Sequence, residues 1–281
     1  MIRSSRPITP DAVVNHYDEL DRIYREVWGE HVHHGLWRTG RESPAEAVEE
    51  LVDRVALEAG VSAGCTAVDI GCGYGATARQ LAARHGALIT GMTISPSQFD
   101  FAVAATPGKN PCYLLGDWLA NGLPDSAFDA AYAIESTEHM EDKGRAFAEA
   151  FRVLRPGGRL AVCAWTAADR PRKWQERHLL EPICREGRLP AMGTEADYRA
   201  LLAGAGFVVE GVLDVSRQVR GTWGICARRA VVKVFTDRQA RAYLLSAASK
   251  NRVFLLTVGR IWLAYRTGAR RYLIWRARKP V

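Results

Sequence analysis

The segment Val68-Asp69-Ile70-Gly71-Cys72-Gly73-Tyr74-Gly75 constrains the fold of this chain more than any other. An apolar run from Ala67 to Ile70 stops at Gly71 and gives way to the helical pattern ATARQLAARHG, so the glycines fall at a strand-to-helix junction. Glycine there permits a tight turn and lets a ligand approach the backbone, while the following helix presents unpaired N–H donors. A second apolar run, ALITGMTI, completes a strand, helix, strand unit. Further strands are predicted at Cys112–Leu115, Phe128–Ile134 and Arg159–Trp165, with the helix RAFAEAFRVL ending at the turn RPGG before the last of them. Alternation at this spacing predicts an α/β fold, a parallel sheet with helices on both faces.

The flanks add to this unit. Ser43, Pro44 and Glu46 form a capping box that opens the amphipathic run AEAVEELVDRVALEAG, which Gly60 can close. Thr194 and Asp197 start another capped helix, followed by the strand FVVEGVLDV; RYLIWRARK is expected to be a final edge strand. Apolar positions between 221 and 268 recur at helical spacing. Four regions follow: an N-terminal helical arm or lid over 1–42, a core over 43–220, a helical cap over 221–268, and a last core strand over 269–281. The arm and the cap are the parts most able to cover a pocket.

Two features select the ligand of the glycine turn. Asp69 sits just before the first glycine, where its carboxylate attracts the cationic amino-acid part of a methionine-derived cofactor and repels a pyrophosphate. Gly71, Gly73 and Ala76 can be fitted to the dinucleotide fingerprint. However, the second strand ends in Gly91-Met92-Thr93-Ile94-Ser95-Pro96-Ser97-Gln98, with no acidic residue for the ribose hydroxyls that a dehydrogenase binds.

With 281 residues, 48% of them hydrophobic, the chain can bury a large core. Its net charge of +7 invites nucleic acid, but Arg is spread along the whole chain rather than massed in one block, which argues against that partner. The six cysteines form no CxxC pair and read as buried thiols of a reducing cytosol. The start MIRSSRPITPDAVV lacks a signal-type apolar stretch, and no apolar run is of spanning length, so a cytoplasmic protein without stable membrane insertion is expected. His31, His33 and His34 beside Glu30 are too close in sequence to complete a metal shell, and no metal is expected.

The segments DIGCGYGA, GMTISPSQ, GDWLANGLPDSAFD, AIESTEHMEDK, LRPGGRL and LLAGAGF occur in the order found in class I S-adenosylmethionine-dependent methyltransferases, which the chain resembles. GMTISPSQ is similar to the branch holding γ-tocopherol, sterol and cyclopropane-forming C-methyltransferases, and YREVWGEHVHHGLW and AYRTGARRYLIWRARKP resemble its tocopherol-type members. The resemblance implies a seven-stranded Rossmann-like sheet with an antiparallel last strand and S-adenosylmethionine as cofactor. It places Gly71, Gly73 and Gly75 along the methionine and ribose, with Asp69 near the amino group. Thr93, Ile94 and Gln98 surround ribose and adenine, Asp117 accepts from the adenine amine, and Trp118 packs near the ring. His34, Gly35 and Trp37 are expected over the cofactor, though Trp37 also reads as core.

Chemistry should centre on Ile134-Glu135-Ser136-Thr137-Glu138-His139-Met140, after the fourth strand. Methyl transfer from a sulfonium is an in-line displacement, so the protein aligns the acceptor and takes its proton. His139 is the candidate base, with Glu138 or Glu135 as partner; a histidine that only caps the next helix is the plainer reading, and Glu135 can equally touch the cofactor. The acceptor expected first is a carbon of a small apolar phenolic, prenylated or isoprenoid molecule, then the oxygen or nitrogen of a natural product. A cofactor-binding regulator without catalysis is the non-enzymatic alternative. In the cap, Arg241, Arg252 and Arg266 read as one face of an unbroken helix opposite Leu244, Leu256, Val258 and Trp262, a solvated basic face or a peripheral membrane contact. The arm also allows packing on a second copy of the chain.

Overall fold

The computed structural model describes residues 1–238, 241–242 and 254–281. In chain order its elements are β1 (Ile2–Arg3), α1 (Pro10–Val27), α2 (Pro44–Ala59), β2 (Thr66–Ile70), α3 (Ala76–His85), β3 (Leu88–Thr93), α4 (Pro96–Ala104), β4 (Cys112–Leu115), β5 (Phe128–Ile134), α5 (Lys143–Val153) and β6 (Leu154–Ala167). There follow α6 (Lys173–Gln175), α7 (Glu181–Glu186), β7 (Ala191–Met192), α8 (Glu195–Gly204), β8 (Val208–Asp214), α9 (Ser216–Val219), α10 (Gly221–Thr236), α11 (Phe254–Arg266) and β9 (Arg270–Arg278).

Local chemistry sets many of these boundaries. The Ser43 Oγ accepts from the Glu46 N–H, and the Glu46 carboxylate accepts from the Ser43 N–H at 2.7 Å, satisfying two donors at the start of α2. Gly60 closes it in the left-handed region, φ 70°. Thr194 and Asp197 form the same box at α8.

Seven strands make one sheet in the order β4-β3-β2-β5-β6-β9-β8, with β2 to β6 parallel and β9 antiparallel to both its neighbours. This is the expected Rossmann-like sheet, with two corrections. β9 is an inner strand and β8 is the edge, because Arg159 to Ala167 of β6 takes up one side of β9 and β8 the other. The RPGG turn lies inside β6: Leu154 pairs with Phe128, and a register shift between Phe128 and Ala130 absorbs the extra residues.

One face of the sheet buries Phe147 and Ala150 of α5 with Tyr198 and Leu202 of α8; the other buries Leu51, Val52 and Val55 of α2 with Leu81 of α3. Each such aliphatic or aromatic side chain contributes roughly 2 kcal/mol by leaving water. Trp223 of α10 and Ile261 and Ala264 of α11 form a further cluster with Leu180 and Ile183. The arm, expected to be helical, contains the 18-residue α1, capped by Thr9 and begun by Pro10. In the cap, Leu244 and Arg252 lie outside the described residues. Trp262 is exposed and carries Arg266 over its ring at 4.9 Å, so these two share a face rather than opposing one another, as residues four apart on a helix must. No helix among the described residues is long and apolar enough to cross a membrane.

Ser43→Ala removes one half of the α2 cap and is expected to lower stability by about 1 kcal/mol in urea unfolding, with ligand binding unchanged.

Candidate active site

The carboxyl ends of β2, β3, β4 and β5 open into one cavity. Its wall includes Gly71, Gly73, Thr93, Ile94, Gln98, Asp117, Trp118, Glu135 and His139, all singled out from sequence. Gly71 holds φ 80°, and a side chain there would collide with Ser136, whose Oγ donates to the Ile70 carbonyl. The Thr93 hydroxyl donates to Gln98 Oε1 at 2.9 Å. Asp117 Oδ1 accepts from the Leu119 N–H at 2.9 Å, and Trp118 is anchored by its indole N–H on the Ala146 carbonyl at 2.9 Å. Asp69, in β2 just before the glycine turn, is buried and does not itself line the cavity; burial pushes its carboxyl up to about 7, with the Tyr132 hydroxyl beside it opposing the rise. A buried carboxyl beside a glycine turn suits a ligand that brings a cation.

Glu135 follows β5 with φ 54°, a region rare for a side chain of this size. Its Oε1 accepts from the backbone N–H of His34 at 2.7 Å, from His34 Nδ1–H at 2.9 Å and from the Tyr272 hydroxyl at 2.8 Å; Oε2 accepts from Trp165 Nε1–H at 2.6 Å. Burial alone would raise this carboxyl, but His34 beside it and donating to it brings it down to about 2. His34 is the neutral tautomer, since its Nε2 accepts from the Trp223 indole N–H at 2.7 Å, a group that can only donate.

His139 Nδ1 bonds the Arg188 carbonyl at 3.1 Å, which only accepts, so Nδ1 carries the proton. Its Nε2 lone pair therefore accepts the Tyr17 hydroxyl at 2.9 Å. Burial lowers His139 to about 4 and raises Tyr17, so the ring stays neutral and the phenol protonated near pH 7. Glu138 is buried; Oε1 accepts from the Trp165 N–H at 2.6 Å, its carbonyl accepts from Lys143 Nζ at 3.1 Å, and burial pushes the carboxyl up.

The remaining sequence assignments fall elsewhere. Gly75 caps α3 beneath the cavity, φ 73°. His34, Gly35 and Trp37 do not line the cavity. His34 is locked on Glu135, Gly35 packs so close to Ala47 that a Cβ would come within 2.8 Å of it, and the Trp37 indole donates to the Glu42 carbonyl at 3.0 Å. The arm does cover the cavity, through Ile8, Val13, Tyr17 and Val32 instead. It is held there by Asp18, which accepts from Ser95 and Ser97 at 2.7 and 2.6 Å, and by Asp21, which accepts from the Tyr74 hydroxyl at 2.7 Å. Tyr17 carried no motif signal; only an amphipathic reading of 10–27 would have brought it forward. His31 Nδ1 bonds His33 Nε2 at 3.1 Å, and no group of three or more metal-ligating side chains occurs among the described residues.

Glu135→Ala strands four buried donors and is expected to cost about 3 kcal/mol or more in urea unfolding and to speed proteolysis of the arm. Burial also holds His31 and His139 at about 3 and about 4, below the free value of 6.5, so the unfolded chain binds protons first as pH falls. Their contribution is complete above pH 6.5 and lost progressively as pH falls, towards about 4 for His139 and about 3 for His31. Urea midpoints should drop over that window, and the drop should be shallower in His139→Gln.

Residues 68–162 match the model of a methyltransferase domain. Over 277 residues, 97% of this chain and 98% of the relative, the sequence is 31% identical to 27-O-demethylrifamycin SV methyltransferase of Amycolatopsis mediterranei (strain S699). It is 28% identical over 290 residues to the chloroplastic tocopherol O-methyltransferase of Arabidopsis thaliana, covering 96% of this chain and 82% of that one. Among solved structures, the [4+2]-cyclase SpnF superposes with a TM-score of 0.78 at 27% identity, over 99% of this chain and 100% of the other. Family match, sheet order and a cavity at the glycine turn agree: the chain belongs to the class I methyltransferases, whose cofactor is S-adenosylmethionine.

Proposed function

We propose that the chain methylates a hydroxyl oxygen of a small, largely apolar molecule. The observation that carries this is the neutral His139, whose proton is fixed on Nδ1 by the Arg188 carbonyl and whose Nε2 lone pair faces a hydroxyl at the cavity wall. In the protein alone that hydroxyl belongs to Tyr17; an acceptor's hydroxyl takes the same place and gives its proton to Nε2 as the oxygen attacks. The carboxylate of Glu135 offsets the charge that His139 then gains. Tyr17 stays protonated and holds Nε2 only until the acceptor displaces it, while the Arg188 carbonyl keeps the ring angle through Nδ1. Ile8, Val13, Val32 and Met140 give the mouth an apolar lining. The names of both relatives above specify O-methylation, which supports oxygen over the ring carbon expected from sequence.

The bound cofactor supplies an electrophilic methyl group. Gly71 and Gly73 shape its methionine and ribose side, and the buried Asp69 behind them complements its amino group. Thr93, Ile94 and Gln98 flank ribose and adenine, Asp117 accepts from the adenine amine, and Trp118 supports the ring. A ring carbon ortho to a phenolate is the second reading, since the same base serves it.

Phenolic and hydroxylated polyketide acceptors supplied with methyl-labelled cofactor should yield an O-methyl product by mass spectrometry and NMR; a C-methyl product selects the second reading. His139→Ala should lower kcat roughly 100-fold or more and leave affinity for S-adenosylhomocysteine unchanged by calorimetry; an unchanged rate overturns the assignment of the base. Asp117→Ala should weaken that affinity about tenfold or more.

A further inference from the structure

The spread of Arg along the chain conceals an uneven balance. Residues 221–268 carry nine Lys and Arg and one acidic residue, Asp237, so the cap holds a charge of +8 while the rest of the chain, at −1, is nearly neutral. Asp237 is itself paired with Arg22 at 2.9 Å.

The two cap helices share an unusual outer face. On α10, Arg228, Val231, Val232 and Phe235 recur at i, i+3, i+4 and i+7 and are exposed, Phe235 at 78%, while Trp223 and Cys226 are buried on the other side. On α11, Gly259, Trp262, Leu263 and Arg266 repeat that spacing and are exposed, Trp262 at 47%, while Val258, Ile261 and Ala264 are buried. A surface helix of a soluble protein ordinarily turns its polar side to water. Here each outer face sets large apolar side chains beside an arginine, Arg228 on α10 and Arg266 on α11.

We propose that the cap docks on an anionic phospholipid bilayer, with Phe235 and Trp262 at the acyl boundary and the surrounding arginines at headgroup phosphates. Arginine with aromatic and aliphatic side chains on one helix face is the composition of an interfacial helix. Each basic residue near an anionic surface adds to the attraction. The aliphatic stripe has no role on a phosphate backbone, and a second copy would bring like charge against like. The reading is independent of the acceptor.

The test is co-sedimentation of the full chain with vesicles of phosphatidylcholine alone or mixed with phosphatidylglycerol, from low salt to about 0.5 M. Binding at least tenfold stronger to the anionic vesicles is expected, weakening with salt. Phe235→Glu and Trp262→Glu should reduce it tenfold or more, while circular dichroism and S-adenosylhomocysteine binding stay as in the parent. Should either variant fail to fold, Arg228→Gln with Arg266→Gln replaces it, with weaker anionic binding expected. Absence of binding, equal binding to both vesicles, or variants that bind like the parent overturn the proposal. So do duplex DNA that competes for the same substitutions, which makes the cap a nucleic-acid site, and a dimer in ultracentrifugation that the substitutions dissolve.

Discussion

The carboxylate of Glu135 is the fixed point on which the site depends. It gathers donors from the arm, from β6 and from β9. A buried charge costs several kcal/mol unless its lone pairs are filled, and here four N–H and O–H groups fill them. His34 is thereby locked in one tautomer and hands the order on to Trp223 and Tyr265 of the cap. One carboxylate thus ties the arm, the sheet and the cap together beside His139.

The arm is held over the cavity by buried apolar side chains, Val13, Leu20 and Tyr24 of α1 among them, and by polar contacts. Asp18 grips the hydroxyls of the turn after β3, Asp21 the Tyr74 hydroxyl in the glycine turn, and Tyr17 the ring of His139. Each of these hydrogen bonds exchanges with water at a net worth of about 1 kcal/mol. A site that must admit both cofactor and acceptor needs a way past such a cover.

What sequence made legible was local. The glycine turn, the capping boxes of α2 and α8, and the residues at the ends of β2 to β5 are each specified by neighbours a few positions away. They were found where the spacing put them. What escaped depended on partners distant in the chain. His34 pairs with Glu135, 101 positions on, so its motif read as cofactor contact when it is an anchor. Tyr17 meets His139 across 122 positions and bears no local signature. The place of β9 likewise rests on which neighbour wins each of its edges, a contest that strand pattern alone does not record.

That inner place of β9 bears on how the protein is made. β6 and β8 leave the ribosome with a gap between them, and the strand that fills it emerges after both, once the cap has been synthesised. Until then two open edges and their apolar faces wait unpaired, which is the state that chaperones recognise. A stop codon or a proteolytic cut before Arg270 would not trim the sheet at its margin; it would take out an inner strand, and with it Tyr272, one of the donors to Glu135.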